Sequence, residues 1–225
     1  MTLALTDVSK TRGQGRHAVR ALQQASLSVD LGEFVLLEGP SGSGKTTLLS
    51  VAAGLLLPDS GTVELAGGLL NQMSQAERRT WRAHAVGFVF QRANLLDNLT
   101  VRDNVLVAAA IAGVPRSVAS AEADRLLSAL GISNLADRTP AHLSGGEEHR
   151  AAVARALVHR PVVLLADEPT GSLDWASGRA VADAMATLAR EQGVAVLVAS
   201  HDPRLRPFAS RIVRLVDGAL VREAA

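Results

Sequence analysis

One eight-residue stretch constrains the fold of this chain more than any other feature of its sequence. It runs Gly39-Pro40-Ser41-Gly42-Ser43-Gly44-Lys45-Thr46. The apolar residues 34–37 directly before it are typical of a buried strand, and residues 47–53 after it are typical of a helix. Glycines at this spacing, followed by a lysine and a hydroxyl between a strand and a helix, predict a phosphate-binding loop.

Each residue type in this loop suits the binding of a phosphate. Glycines allow successive backbone N–H groups to turn toward one anion, and the helix N-terminus adds a favourable partial charge. We expect Lys45 to reach the β- and γ-phosphates, Thr46 to ligate Mg²⁺ and Thr47 to add a further contact. The alternative is a plain glycine- and serine-rich turn, but every position of the pattern is filled in the right setting.

Composition excludes several classes of function. The chain has 225 residues, 48% of them hydrophobic, which is ample for a substantial core. Its formal net charge of +1 and its 3% of aromatic residues argue against a nucleic-acid partner. The absence of cysteine excludes disulfides, thiolate catalysis and cysteine-based zinc sites. The N-terminus lacks a signal-peptide pattern and the apolar runs are short, so we expect a cytoplasmic protein that reaches a membrane only through a partner.

The order of the predicted elements indicates an α/β fold. Residues 1–33 alternate polar and apolar side chains, as half-exposed antiparallel strands do. Fully apolar runs, which suit a parallel sheet covered on both faces, occur at 34–37, 162–166 and 194–199. Asp217-Gly218 between two apolar runs predicts a hairpin. The expected architecture is a phosphate-loop NTPase core with a mostly parallel sheet, an antiparallel N-terminal β part and a helical insert at about residues 92–143.

Two adjacent acids, Asp167 and Glu168, end one of these apolar strands. Open α/β sheets bind their ligands at the carboxyl ends of the strands. Because side chains alternate along a strand, we expect the two acids to have different roles. Asp167 would face the Mg²⁺ that Thr46 also holds, and Glu168 would face the γ-phosphate and accept a proton from attacking water. A solvated acidic turn before Pro169 is the alternative.

A second glycine-rich helix start follows the helical insert, at Leu143-Ser144-Gly145-Gly146-Glu147. An ordinary helix N-cap would explain it if it stood alone. It also offers free N–H groups, a hydroxyl and a helix dipole, as the first loop does. One triphosphate hardly needs two such sites. We therefore expect Ser144, Gly145 and Gly146 to serve a nucleotide held by another copy of the chain.

With these motifs in order, the chain resembles the ATP-binding subunits of ATP-binding-cassette (ABC) transporters along nearly its whole length. Leu-Ser-Gly-Gly-Glu is similar to the signature of that family. Gln91 matches its glutamine loop, residues 171–174 (Gly-Ser-Leu-Asp) its D-loop, and His201 its switch histidine. The other histidines, at positions 17, 84, 142, 149 and 159, are expected to be surface or packing residues.

The resemblance implies one domain over residues 1–225. In it, residues 1–91 and 144–225 form a RecA-like core with the antiparallel β part, and about 92–143 form a helical subdomain. It further implies a head-to-tail homodimer with two ATP between the copies. Gln91 would sense Mg²⁺ and water, His201 would contact the γ-phosphate, and Asp174 would link the two sites. An integral-membrane permease is the implied partner, which would place the subunit at the cytoplasmic face of the membrane.

Finer motifs resemble the subfamily that serves macrolide export, lipoprotein release, haem export and antimicrobial-peptide resistance. They are Gly-Phe-Val-Phe-Gln at 87–91 with Asn-Leu-Leu at 94–96 and Leu-Thr-Val at 99–101, and Leu-Leu-Ala-Asp-Glu-Pro-Thr-Gly at 164–171. This implies export as the direction of transport. One departure is the absence, near Arg12, of the aromatic residue that usually stacks on adenine. An arginine plane can stack on a base, and His17 is a second candidate for that role.

Three other functions compete with that of an ATPase that drives a permease. ABC ATPases that act on nucleic acid or ribosomes usually carry two cassettes or a long coiled-coil insertion, and this chain has neither. A small-molecule kinase with a phosphate loop would leave the signature and His201 unexplained. A module that signals ATP-driven closure across a membrane to a cell-wall enzyme stays open, because the same subfamily includes such proteins. In such transporters the permease, a separate chain, selects the transported substrate.

Overall fold

The computed structural model describes residues 2–13, 15–171 and 173–221. Its strands are β1 (Leu3–Arg12), β2 (Val19–Val29), β3 (Phe34–Glu38), β4 (Ser60–Leu65), β5 (Gly68–Leu69), β6 (Val86–Val89), β7 (Val163–Asp167), β8 (Ala195–Ala199), β9 (Arg211–Val216) and β10 (Ala219–Val221). Its α-helices are α1 (Lys45–Ala52), α2 (Gln75–Ala85), α3 (Val101–Ile111), α4 (Arg116–Ala129), α5 (Gly145–Leu157) and α6 (Trp175–Gln192). Short 3₁₀ turns occur at Gly15–His17, Leu70–Gln72, Ser133–Leu135, Pro140–His142 and Pro203–Phe208.

The strands form two sheets of different kinds. The first is antiparallel, with the order β2-β1-β4-β5. The second has the order β10-β9-β3-β8-β7-β6, and every pair in it is parallel except β9 with β10. The expected combination of an antiparallel N-terminal part with a mostly parallel sheet is therefore confirmed.

Alternation along the parallel strands divides the core into two clusters. On β3, Phe34 and Leu36 pack into one cluster, whereas Val35 and Leu37 pack into the other. The first cluster contains apolar residues of α3, α4, α5 and α6. The second contains those of α1 and of the antiparallel sheet. The parallel sheet is thus buried on both faces, which explains why its strands read as unbroken apolar runs.

The hairpin predicted at Asp217-Gly218 is present and joins β9 to β10. Asp217 has φ of 46° and Gly218 has φ of 79°, and Val216 pairs with Ala219 across the turn. Two consecutive residues with positive φ are what a two-residue hairpin turn requires, because this conformation matches the twist of the strands. The hairpin closes one edge of the parallel sheet.

The region between β6 and α5 is mainly helical. α3 begins after Thr100, whose side chain accepts a hydrogen bond from the backbone N–H of Asp103. Both α3 and α4 pack against α5. Among the residues that the structure describes, no helix combines the length and the hydropathy needed to cross a bilayer.

Candidate nucleotide-binding site

The parallel sheet brings the chemically important segments to one edge. In a parallel sheet the carboxyl ends of neighbouring strands lie side by side. Strand β3 is followed by the phosphate loop, β6 leads to Gln91, β7 ends at Asp167, and β8 is followed by His201. The register is close, since Ala199 pairs with both Leu37 and Asp167. Sequence motifs that lie up to about 160 positions apart therefore converge because of strand order alone.

The phosphate loop holds its lysine by its own backbone. The Nζ atom of Lys45 donates to the carbonyl oxygens of Gly39 at 2.7 Å and Pro40 at 3.1 Å. Lys45 is buried, and within the described residues its ammonium forms no ion pair with a carboxylate. Because both partners are neutral carbonyl groups, no carboxylate in the described part of the chain neutralises the ammonium. Its positive charge can therefore attract an incoming anion. This geometry suits a lysine that binds phosphate.

Two glycines give this loop its shape. Gly44 has φ of 106°, and a Cβ built on it would lie 2.2 Å from the carbonyl oxygen of Ala21. Gly42 also has positive φ, at 80°. Only glycine adopts such backbone conformations at low cost. Ser43, between them, has a buried hydroxyl that makes no hydrogen bond in the described structure.

The first helix after the loop begins without a side-chain cap. Its N-cap residue is Gly44, and no acidic residue lies in its first turn. The first N–H groups of a helix lack partners within the helix, and they carry the positive end of its dipole. This helix end is therefore ready to receive an anion.

The expected Mg²⁺ ligands lie close to each other. The carboxylate of Asp167 accepts a hydrogen bond from the side chain of Thr46. Burial raises the pKa of Asp167, and the charge of Glu168 adds to this rise, while the bond from Thr46 and the charge of Lys45 oppose it. A cation bound nearby would stabilise the ionised form of this buried carboxylate.

Glu168 is held by two residues at the end of β8. Its side chain accepts a hydrogen bond from the hydroxyl of Ser200 at 2.7 Å, and its other oxygen lies 2.8 Å from Nδ1 of His201. Glu168 lies just beyond strand β7 with φ of 47°. A left-handed turn therefore sets the direction of the Glu168 side chain. The sequence predicts instead that alternation along the strand sets it.

Two cavities meet at these residues. The smaller, of about 340 Å³, is lined by the phosphate loop and by Asp167 and Arg12. The larger, of about 710 Å³, is lined by Gly145 and His201 among others. Gln91 and Glu168 line both cavities. Arg12 is thus next to the phosphate loop, while His17, the other candidate for contact with a base, is not among the lining residues.

The signature segment departs in part from expectation. Ser144 and Glu147 form a capping box in which Glu147 Oε2 accepts the backbone N–H of Ser144 at 2.7 Å and its hydroxyl at 2.8 Å. The sequence counts this hydroxyl among the groups that could serve a nucleotide of another copy, and in the single chain it is engaged with Glu147. The smaller cavity is lined by none of the residues 144–146, so one chain does not bring both glycine-rich segments to the same cavity.

The D-loop aspartate has a local partner as well. Asp174 is the N-cap of α6, and its side chain accepts the backbone N–H of Ser177 at 3.0 Å. Hydrogen bonds with Ser177 lower the pKa of Asp174. Ser172, the second residue of the D-loop, lies outside the described residues. Asp174 lines neither of the two cavities. Its predicted role as a link between two nucleotide sites involves a second copy and stays a prediction.

Sequence reasoning missed several residues that support the site. Ser200 was passed over although it directly precedes His201 at the end of β8. Asp202 accepts the hydroxyl of Thr170 at 2.7 Å and is paired with Arg204. Despite burial, these bonds lower its pKa to about 2. Ser200 and Asp202 flank His201 just after a predicted strand, and polar residues at such a strand end are candidates for a binding site.

The oxygen atoms at this edge suit Mg²⁺. A hydroxyl from Thr46, a carboxylate from Asp167 and a carboxamide from Gln91 line the smaller cavity. Mg²⁺ prefers oxygen ligands and takes a few from the protein together with water and phosphate oxygens. No group of three or more His, Cys, Asp or Glu residues that could hold a metal occurs in the described part of the chain. The donor set thus fits an ion that is bound together with a phosphate.

Comparison with known proteins tests the assignment. Residues 22–171 match a protein family described as "ABC transporter". Over 219 residues the chain is 42% identical to the lipoprotein-releasing system ATP-binding protein LolD 1 of Rhodospirillum rubrum, with 97% of each chain covered. It is 38% identical over 220 residues to HrtA of Staphylococcus haemolyticus, which is named as a hemin import ATP-binding protein, with 98% of this chain and 99% of the relative covered.

The fold has equally close counterparts. One solved structure, a dimeric ATP-binding cassette in a post-hydrolysis state with ADP and Pi, matches with a TM-score of 0.90 and 34% identity. The match covers 98% of this chain and 97% of that one. The expected α/β fold, nucleotide binding and ATPase activity are confirmed at the level of the family. The chain belongs to the ABC transporter family and is an ATP-binding, ATP-hydrolysing subunit within it.

Proposed function

We propose that two copies of this chain close around two ATP molecules and that this closure drives an integral-membrane permease. The observation that carries the proposal is that the two glycine-rich segments line different cavities of one chain. The phosphate loop lines the smaller cavity, and residues 144–146 do not. A second copy that supplied Ser144, Gly145 and Gly146 would complete the site. The dimeric state of the matching cassette structure supports this arrangement.

Each side chain at the edge has a distinct role in the proposed reaction. Lys45 and the backbone N–H groups of residues 39–47 bind the phosphates. Thr46, Asp167 and Gln91 would hold Mg²⁺, which neutralises phosphate charge when it is bound. Glu168 accepts the proton of the attacking water. Its two contacts, from Ser200 and His201, orient the carboxylate for that task.

The γ-phosphate is what makes closure reversible in this proposal. His201 is well exposed at the sheet edge, with 72% of its side chain accessible, so it is free to contact the terminal phosphate. Contacts that depend on the γ-phosphate stabilise the closed dimer, and their loss on hydrolysis reopens it. Asp174 would link the two sites across the dimer. The domain division at about residues 92 and 143 lets the helical part follow the permease.

The direction of transport is the finer part of the proposal. The two relatives carry names that point in different directions, lipoprotein release and hemin import. We favour export because motifs at 87–91 and 164–171 resemble the exporting subfamily. In this arrangement the subunit lies at the cytoplasmic face of the membrane and contacts it only through the permease. No nucleic-acid partner is included.

Replacing the catalytic base is the sharpest test of the chemistry. Glu168→Gln should keep ATP binding and lower kcat by at least about 100-fold, as expected for loss of a general base. It should also trap an ATP-bound dimer, which size-exclusion chromatography with light scattering would detect. Glu191→Gln is the matched control, because Glu191 is exposed near the end of α6 and lines neither cavity. Unimpaired hydrolysis in Glu168→Gln would remove Glu168 from the role of base.

Mass spectrometry of proteins that co-purify from native membranes tests the partner. A permease with few membrane spans and a large outer domain would support the exporter proposal. A permease recovered together with a cell-wall enzyme or its activator would favour the signalling alternative. Recovery of ribosomal or DNA-bound proteins without a permease would leave the ATPase chemistry in place and overturn the proposed partner.

A further inference from the structure

His149 lies in α5 and faces the segment that carries Gln91. Its side chain is buried, with 5% exposure. Nε2 lies 3.1 Å from the main-chain carbonyl oxygen of Gln91, and Nδ1 lies 3.1 Å from that of Gly145. The imidazole therefore connects the glutamine loop to the first turn of the helix that the signature begins.

The chemistry of these partners assigns the proton. A carbonyl oxygen only accepts hydrogen bonds, and a neutral imidazole has one N–H to donate. The carbonyl of Gly145 already accepts the helical N–H of residue 149, four positions later in α5. Gln91 lies beyond the end of β6, where no ladder bond satisfies its carbonyl. The N–H therefore belongs on Nε2, where it satisfies a carbonyl that the secondary structure leaves open.

A second side chain of α5 holds the same segment further on. The guanidinium of Arg155 donates to the carbonyl oxygens of Ala93 and Asn94, each at 2.6 Å. The main chain after β6 is thus attached to α5 at three carbonyls. Arg155 secures the far end of this attachment, and His149 secures the end at Gln91, whose side chain lines both cavities.

We propose that His149 is a positioning residue for ATP hydrolysis, which fixes the main chain of Gln91 through the Nε2–H···O=C bond and so directs the Gln91 side chain at the reacting centre. This inference rests on the proposed role of Gln91. In this inference His149 contributes to the reaction, whereas the sequence predicts only a surface or packing residue.

Substitutions at position 149 separate hydrogen bonding from packing. Phenylalanine fills a similar volume and donates nothing, whereas glutamine keeps an N–H donor on a flexible chain. We expect His149→Phe to lower kcat of the purified chain about fivefold, the factor that one ordinary hydrogen bond corresponds to, with the Kd for ATP within about twofold of wild type. His149→Gln should restore kcat to within about twofold of wild type. If His149→Phe does not fold, His149→Met takes its place.

A matched control is available in α2. The Nδ1 atom of His84 lies 2.8 Å from the carbonyl oxygen of Thr80, four positions earlier, as Nδ1 of His149 does with Gly145. His84 is exposed. His84→Phe should therefore leave kcat unchanged. A wild-type kcat in His149→Phe, or a His149→Gln variant as slow as His149→Phe, would overturn the inference.

Gln91→Ala distinguishes failure of this inference from failure of the site it depends on. A reduced kcat in Gln91→Ala together with a normal kcat in His149→Phe rejects the positioning role alone. A normal kcat in Gln91→Ala rejects the proposed role of Gln91, and the role of His149 is rejected with it. A reduced kcat in both, with rescue by glutamine at position 149, supports both.

Discussion

Two helices of this protein begin at glycine-rich segments, and their first turns differ in one respect that matters for binding. Helix α1 starts at Gly44 with no side-chain cap and no acid in its first turn. Helix α5 starts at Ser144 with a complete capping box, and Glu147 and Glu148 lie in its first turn. The sequence made the two segments look alike, and the structure separates them.

The difference assigns the two ends an order of action. An uncapped helix N-terminus with a buried lysine binds an anion without rearrangement. At α5 the carboxylate of Glu147 already accepts the N–H and the hydroxyl of Ser144. A phosphate that uses these donors must displace a carboxylate of like charge. Under the proposed function, the α1 end would capture the phosphate within one chain, and the α5 end would be a weaker site that acts once the phosphate is held.

The largest effect is expected at the α1 end. Lys45→Ala should weaken ATP binding to the single chain by about 100-fold, because it removes a charged donor to phosphate from a buried position. Isothermal titration calorimetry measures this directly. Lys10→Ala is the control, since the other lysine is paired with Asp59 on the surface. Equal losses in the two variants would break the assignment of capture to α1.

A smaller but selective effect is expected at the α5 end. Ser144→Arg should leave ATP binding to the single chain unchanged and should weaken ATP-dependent dimerisation by at least about tenfold, since a bulky side chain blocks the second site. Analytical ultracentrifugation in the Glu168→Gln background gives the dimerisation constant. Ser74→Arg removes the cap of the other capping box, on α2, and controls for the cost of losing a cap. Dimers that form as readily in Ser144→Arg as in Ser74→Arg would contradict the shared site.

Neutralising the cap of α5 should sharpen the comparison further. Glu147→Gln keeps the capping geometry and removes a negative charge beside the incoming phosphate. We expect it to strengthen ATP-dependent dimerisation about threefold, in line with a partly screened charge. Glu77→Gln makes the same change in the box on α2, where Glu77 accepts the N–H of Ser74 at 2.7 Å, and should leave dimerisation unchanged. No gain in Glu147→Gln would mean that Glu147 does not compete for Ser144.

The smallest effect is expected on the melting temperature at acidic pH. The bonds from Ser144 lower the pKa of Glu147 below its usual 4.5. A carboxyl with a lowered pKa in the fold adds stability above its unfolded pKa, and this stability is lost as pH falls through the folded value. The melting temperature of wild type relative to Glu147→Gln should therefore decline below about pH 4.5. A difference that stays constant between pH 7 and pH 3 would exclude this contribution.

Local signals in the sequence predicted most of the fold. The strand before the phosphate loop, the helix after it and the Asp217-Gly218 hairpin all follow from local chemistry, and each is present. Patterns of this kind depend on a few neighbouring residues, so a single sequence contains them. The phosphate loop and the two acids at the end of β7 are predicted for the same reason.

What the sequence did not predict depends on pairing between distant segments. The contact of His149 with Gln91 joins positions 58 residues apart, and the contact of Ser200 with Glu168 joins positions 32 apart. The choice between the two interpretations of Ser144 depends on a different factor. The same serine and glutamate pattern serves either as a helix cap or as an anion site, and only the geometry of the carboxylate decides between them.

The division of the interior by the parallel sheet has a consequence for how such a subunit diversifies. A side chain on β3 enters one cluster or the other, so a change of volume is compensated by neighbours on its own side. The helices that follow β6 belong to one cluster, and α1 with the antiparallel sheet belongs to the other. Changes of side-chain volume on the helical side can therefore be accommodated there while the interior behind the phosphate loop keeps its packing.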